Sequence, residues 1–526
     1  MKSLFGLETE LGFAAVGADG ERANGVYALR HLLDLAAKRL MHLPGGGDRM
    51  FLQNGSLLYI DCGLHPELAT PECSSPDDLV RYMRAGEHIM AELSQELEQR
   101  DELSQVRVFK SNVDFCDPSV TWGCHESYLC RSKMTALSKQ LLPHFVSRIV
   151  YTGSGGLNSA SRGIDFSISP RVQHLVNVSS NASTRSRGIF HTKNEPLCGH
   201  GYRRLHVLCG DSANSELATW LKVGTTALIT ALIDKGFEPG TAVTLRVPVP
   251  AMQRFALDPA CKAKAAMSHR RRYRTAIDIQ RHYLAEVEAR LGASFLPDWA
   301  EHVCQVWRSV LDNLETDPTR LAASLDWAIK LALFQERTKQ RGMSWDGVSV
   351  WNGVVRCIDK LIRAPGQEAG ETIDNDLVTR LGRGATADAV HAQTRVLASH
   401  DLTWDGLATF NALRLELWEL DMRFGELGPR GIFADLDARG LLRHHMLAPD
   451  DWRQALDRPP ADTRARVRGE CVTRWNQNRG DYECGWSRIC GPGGYVDLSD
   501  PFETNVQWQD NPRPTLQDLF VDGWPP

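Results

Sequence analysis

The sequence predicts an α+β fold, with a large body followed by a small C-terminal domain after about residue 440. Three observations lead there. The first 115 residues alternate strand-like and helical segments, residues 210–236 and most of 276–440 repeat like helices, and the tail is rich in Gly, Pro and aromatic residues with short strand-like pieces. A chain of 526 residues also exceeds what one core usually holds, so a division into domains 1–440 and 441–526 is expected.

Residues 4–13 read as a strand, 25–42 as an amphipathic helix and 50–61 as a second strand. The stretch 77–100 has strong helical periodicity, with Asp77 and Asp78 suited to its first turn, where carboxylates meet free amide groups. Residues 106–115 are strand-like. The segment 210–236 reads as a buried helix, capped by Asp or Ser at its start and with Gly236 just past its end. A short helix at 463–475 follows the "RPP" at 458–460.

Composition excludes some functions. The chain is 42% hydrophobic and 24% charged with a net charge of -5, so it lacks the basic surface of a nucleic-acid-binding protein. The longest apolar run, 221–233, is too short to span a membrane. Glu8 and Glu10 interrupt the start, which therefore does not read as a signal peptide. Thirteen cysteines without a CxxC pair suit reduced thiols and a cytoplasmic location.

The chemistry concentrates in carboxylates. Residues two apart on a strand share a face, so Glu8 pairs with Glu10 and Tyr59 with Asp61, and Glu67 follows closely. If the two strands are neighbours, these five side chains line one patch. Two readings compete: half-exposed strands with polar groups facing water, or a site where a divalent cation relieves like-charge repulsion. "TWGCHESYLC" (121–130) adds His125, and "YRRLHVLCGDS" (202–212) adds Arg204 and His206. Arg185 and Arg187 lie in "SSNASTRSRGIF" (179–190), and arginine suits phosphate because its planar fork makes two parallel hydrogen bonds. "TGSGGLN" (152–158) lacks a P-loop lysine and reads as a turn, and "SHRRRYR" (268–274) reads as a solvated basic face.

The segments "GLETELGF", "FLQNGSLLYIDCGLHPELATPEC", "WGCHESYL", "STRSRGIF", "YRRLHVLCGDSANSE" and "LKVGTTAL" resemble the Pup ligase and depupylase family, collinearly with "AIDIQRHYL", "DWAIKLALFQ", "GIFADL", "PPADTRARVRGE" and "DPF" further on. The resemblance implies a glutamine synthetase-like large domain, with a curved antiparallel sheet backed by helices, and a small C-terminal domain. It implies an ATP- and Mg²⁺-dependent ligase. Such an enzyme phosphorylates a glutamate side chain of Pup, a small disordered acidic modifier, and joins it to an amine, typically a protein lysine. It assigns Glu8, Tyr59 and Glu67 to Mg²⁺, Thr70 and Trp486 to the nucleotide and Asp61 to catalysis. Glu10 and His206 are added as metal candidates, and Arg185 and Arg204 as nucleotide contacts.

The short stretch 14–50, the "DCGLHPE" spacing and Cys124 resemble the ligase branch, whereas "VSRIVYTGSG" and "RGEC" resemble the depupylases. Leu57 stands where the family has an ATP-contacting arginine, and Lys193, Asn194 and Leu197 replace Arg, Asp and His. Residues 345–410 read as a helical insertion with a local aromatic core of Trp345, Trp351, Trp404 and Phe410. A ligase is therefore expected, with a depupylase-type amide hydrolase, a ligase acting on a small molecule, or a nucleotide-binding scaffold as alternatives.

Overall fold

The computed structural model describes residues 3–61, 63–100, 103–181, 186–192, 197–199, 201–268, 272–362, 387–505 and 507–510. Its centre is a nine-stranded sheet. From one edge the strands run Asn177–Ser180, Gly188–His191, Arg203–Val207, Cys124–Cys130, Phe5–Glu10, Pro66–Ala69, Leu57–Ile60, Arg49–Leu52 and His42–Pro44. The first two are parallel, and every other neighbouring pair is antiparallel. The expected antiparallel sheet with helices behind it is what the chain forms.

The strand expected over 4–13 breaks at Leu11. Phe5–Glu10 becomes the central strand, while Gly12–Gly17 leaves to pair with Leu103–Phe109 in a separate two-stranded sheet. The strand expected over 50–61 is likewise a hairpin, because Gly55, at φ +84°, turns the chain between Arg49–Leu52 and Leu57–Ile60. Side chains in the central strand alternate: Phe5, Leu7 and Thr9 are buried against the helical layer, and Gly6, Glu8 and Glu10 face the other way.

Behind the sheet runs the helix Glu216–Asp234. The Ser215 side chain caps it by accepting the Ala218 amide, and Gly236 follows its end at φ +87°. It is long and apolar enough to cross a membrane by length and composition, yet 94% of that window is buried inside the protein. The helix Pro76–Glu98 starts as expected, with Ser75 as cap and Asp77 and Asp78 in the first turn. The helical stretch 276–340 divides into Ala276–Glu288, Ala300–Thr316 and Asp326–Gln340. "TGSGGLN" joins the short helix Ile149–Thr152 to the strand Gly156–Leu157, with Gly155 and Gly156 at positive φ. Trp351 stacks on Phe410 at 5.5 Å, and both join the large hydrophobic cluster of the body rather than a core of their own. The described cysteines are all free thiols.

Two ionic contacts fix the sheet. On its helical face Glu126 is fully buried against Arg148, whose Nη1 donates to Oε2 at 2.9 Å and whose Nη2 donates to Oε1. At its other end Glu72 receives the C-terminal segment. That segment comprises the helix Ala465–Trp475 and a four-stranded sheet from Glu483–Cys484 to Trp508–Asp510. Val467, Val472, Ile489 and Val496 pack on Phe51, Leu57 and Ala69 of the large sheet. Arg464 Nε donates to Glu72 Oε1 at 2.6 Å, and Arg468 Nη2 donates to Oε2.

Removing one partner of a buried ion pair strands the other charge, so Arg148→Met is expected to destabilise the protein by about 3–5 kcal/mol in urea unfolding. Adding Glu126→Gln to it should recover much of that loss, and no recovery would show that the pair does not carry the effect. Burial raises the Glu72 carboxyl, but the Arg468 and Arg464 guanidiniums outweigh this and hold it at about 2. A carboxyl depressed on folding stabilises above its unfolded value of about 4.3 and loses that contribution as pH falls towards the folded one. Glu72→Gln should therefore cost most at neutral pH, and the difference from the unaltered protein should shrink as unfolding is measured from pH 5 down to about 2.

Candidate active site

The site forms on the face of the sheet opposite the helices, and strand register decides its membership. Glu10 lies opposite Glu67, and Glu67 lies opposite Tyr59, so three strands carry these side chains in one row. Glu8 lies opposite His125 on the other side, and His206 sits opposite Ser127 one strand further out. Two groups of potential metal-ligating atoms result, each within 4.8 Å: Glu10 with Asp61 and Glu67, and Glu8 with His125 and His206. The five expected metal candidates are thus all on this face, but they divide between two adjoining groups, with Tyr59 beside the first.

Glu67 is 4% exposed, and its Oε1 is buried without a hydrogen-bond partner among the described residues. Burial and the charges of Glu8 and Glu10 push its carboxyl well above the usual range. Burial, Glu67 and Glu8 likewise raise the Tyr59 phenol. An orphaned oxygen among acidic neighbours is the environment a divalent cation satisfies, and oxygen donors of this kind suit Mg²⁺. Glu10 Oε2 accepts the Gly123 amide at 2.6 Å, and Glu8 Oε1 accepts from Arg204. His206 Nε2 lies 3.7 Å from Glu8 Oε2. Burial lowers the His125 imidazole, which favours its neutral form.

Asp61 ends the Tyr59 strand in a tight turn. Its Oδ1 accepts the amides of Gly63 at 2.9 Å and His65 at 2.7 Å, and its Oδ2 faces His65 Nδ1 at 3.3 Å. Burial would raise its carboxyl, but the His65 ring and these amides outweigh that and keep it ionised below the usual range. Leu64 takes the left-handed backbone at φ +61°, a strain that persists where the surroundings over-determine the turn. A Cβ on Gly63 would come within 2.6 Å of the His65 ring, so glycine there lets the imidazole close on Asp61.

Next to Glu8 opens a cavity lined among others by Gly6, Thr70, Glu72, Arg204, Arg464 and Trp486. Thr70 Oγ1 accepts the Leu7 amide at 3.1 Å, and a Cβ on Gly6 would come 3.3 Å from that oxygen, so glycine keeps this floor open. Thr70, Trp486 and Arg204 therefore meet in one pocket. Leu57 lies outside its lining, 5% exposed in the apolar cluster with Phe51 and Trp486. Arg185, Lys193 and Asn194 fall outside the described residues.

The sequence pairs His65 with Glu67 by spacing, or places it in a turn after Gly63, and gives it no role in the site, although its position four residues after Asp61 in "DCGLH" was a signal for one. Sequence reasoning passed over Arg464 and Arg468, present in "PPADTRARVRGE" but tied to Glu72 only by folding, and over His191, whose ring stacks on His206 at 5.2 Å.

Comparison with known proteins gives a consistent assignment. The family profile of the Pup-ligase protein matches residues 4–352 and 396–490. A Pup–protein ligase of Sanguibacter keddieii is 30% identical over 497 residues, 93% of each chain. One from Xylanimonas cellulosilytica is 34% identical over 358 residues, 66% of this chain and 76% of the relative. The crystal structure of Pup with its ligase superposes with a TM-score of 0.71 at 23% identity, covering 96% of this chain and 89% of that one. A Pup ligase in complex with ADP gives 0.66 at 24%, covering 91% of each. These two structures share the fold. The chain belongs to the Pup-ligase protein family.

Proposed function

We propose that the protein is an ATP-dependent carboxylate–amine ligase. It activates the side-chain carboxylate of a glutamate on a Pup-like modifier and joins it to an amine, typically a protein lysine, as an isopeptide bond. The observation that carries this reading is the meeting, at Glu8, of a cavity lined by Thr70, Arg204 and Trp486 with a row of carboxylates that ends at Asp61. Family membership supports it, and so do the names of the relatives, which are Pup–protein ligases.

Each residue has a task in the reaction. Trp486 offers an aromatic wall for the base, and Thr70 and Arg204 line the same cavity, Arg204 contributing the positive charge a phosphate chain requires. Glu8, Glu67 and Tyr59, with Glu10 and His206 beside them, would hold Mg²⁺, which offsets charge on the phosphoryl group passing from ATP to the glutamate. The amine then displaces phosphate from the acyl phosphate. Lysine is protonated at neutral pH and must lose a proton to attack. Asp61, held ionised by His65 and Gly63, accepts the amine's proton as the C–N bond forms.

Residues 441–526 act in this reading as a small domain that completes the nucleotide cavity with Arg464 and Trp486. Residues 353–395 lie outside the family match and belong to the proposed helical insertion at 345–410. Free thiols support a cytoplasmic location.

Asp61→Asn should lower ligation of a Pup-type modifier by at least about a hundredfold while ADP still binds, measured by conjugate formation and calorimetry. Unchanged conjugation would remove Asp61 from the chemistry. ATP should be consumed one-for-one with conjugate, and cleavage of a ready-made conjugate without ATP turnover would instead identify an amide hydrolase. Glu67→Gln should weaken Mg²⁺ dependence, raising the Mg²⁺ concentration for half-maximal activity by about tenfold or more, and a curve superimposable on the unaltered one would overturn that ligand assignment.

A further inference from the structure

Beyond the reacting groups, an ionic hub ties the large sheet to the C-terminal segment at the wall of the cavity. Glu72 lies two residues past Thr70 and lines the same cavity. Both its oxygens are engaged by guanidiniums from the C-terminal helix region, Oε1 by Arg464 and Oε2 by Arg468, and its carbonyl accepts the Thr463 hydroxyl at 3.1 Å. Arg468 is fully buried. Its Nε donates to the Gly55 carbonyl at 3.3 Å and its Nη1 to the Trp486 carbonyl at 3.4 Å. The guanidinium carbon lies 4.7 Å from the Trp486 ring centroid and 5.6 Å from that of Phe51, and Phe51 meets Trp486 edge-on at 5.3 Å.

Trp486 therefore has a guanidinium against its ring and a phenyl at its edge, while the indole also lines the cavity. An aromatic wall binds a flat base only if it is held still, and Trp486 is half-buried in the bend between Glu483–Cys484 and Arg488–Gly491, at the margin of an apolar cluster. The hub adds a hydrogen bond and a guanidinium–ring contact to that packing. Glu72 fixes the fork of Arg468, and Arg468 in turn fixes both the backbone carbonyl and the ring of Trp486.

We propose that Glu72 and Arg468 are positioning residues for the nucleotide, pinning the Trp486 indole as a rigid wall of the cavity that Gly6 and Thr70 also line. The ligand is an adenine nucleotide, and the inference rests on the reading of this cavity as the nucleotide site. Arg464, which binds the other Glu72 oxygen and the carbonyls of Leu197 at 2.7 Å and Leu498 at 2.8 Å, closes the same hub from the cavity side. The arrangement also accounts for Leu57: the apolar cluster that holds Trp486 includes this leucine.

The test uses the full chain with ADP and Mg²⁺ in calorimetry, and ligation kinetics with ATP varied. Glu72→Gln and Arg468→Met are each expected to weaken ADP binding by about tenfold and to raise KM for ATP similarly, with kcat little changed. Lys330→Met breaks a buried pair elsewhere, Lys330 Nζ to Asp421 Oδ1 at 2.7 Å, and should lower stability without moving the ADP affinity. Affinity unchanged in Glu72→Gln and in folded Arg468→Met would overturn the positioning role. So would an equal loss in Lys330→Met, since the effect would then follow from lost stability alone. Failure of the unaltered protein to bind ADP would overturn the nucleotide-site reading itself, which separates the two.

Discussion

The two-residue repeat of one strand is the constraint on which the site depends. With Phe5, Leu7 and Thr9 committed to the helical layer, Glu8 and Glu10 have no choice but the opposite face, and antiparallel register then sets Glu67 and Tyr59 beside Glu10 and His125 beside Glu8. A one-residue slip would turn every one of these groups into the core. The register holds because the other face is anchored, by apolar packing and by the Glu126–Arg148 pair directly behind His125. On the strand Cys124–Cys130, Glu126 turns to the helical face, where an arginine satisfies it, and the adjacent His125 turns to the face of Glu8.

That difference in satisfaction separates the site from the rest of the protein. Glu126, Glu72 and Asp421 each have cationic or amide partners inside the fold. Glu67 has a buried oxygen without one among the described residues. Burial and the charges of Glu8 and Glu10 raise the Glu67 carboxyl, an electrostatic cost that the fold carries at this row. The strained turn at Leu64 has the same character, since it holds the Asp61 carboxylate where the row ends.

The C-terminal segment contributes through contacts between residues nearly four hundred positions apart. Glu72 belongs to the stretch leaving the large sheet, and Arg464, Arg468 and Trp486 belong to a small sheet and helix that share an apolar cluster with Phe51 and Leu57. The cavity lined by Thr70, Glu72, Arg464 and Trp486 is therefore an interface property. Neither the sheet nor the small C-terminal elements contain it alone.

Much of this was legible in the sequence, because alternation is a local property. Glu8 with Glu10 and Tyr59 with Asp61 could be placed on shared faces from spacing alone, and Asp77 and Asp78 marked the first turn of one helix, whereas the helix expected from 210 starts only at Glu216, capped by Ser215. The break at Leu11 and the hairpin at Gly55 were less visible, since an apolar run reads as one strand until a turn or a change of partner divides it. Which strands are neighbours, and hence that Glu67 meets Glu10 while Glu8 meets His125, is set by long-range pairing that no local pattern encodes. The sequence by itself determined the residue types and their faces. Tertiary structure alone decided that two arginines reach Glu72, that Trp486 is held against Arg468, and that one buried glutamate oxygen has no hydrogen-bond partner among the described residues, because such facts arise only when distant segments exclude water from the same place.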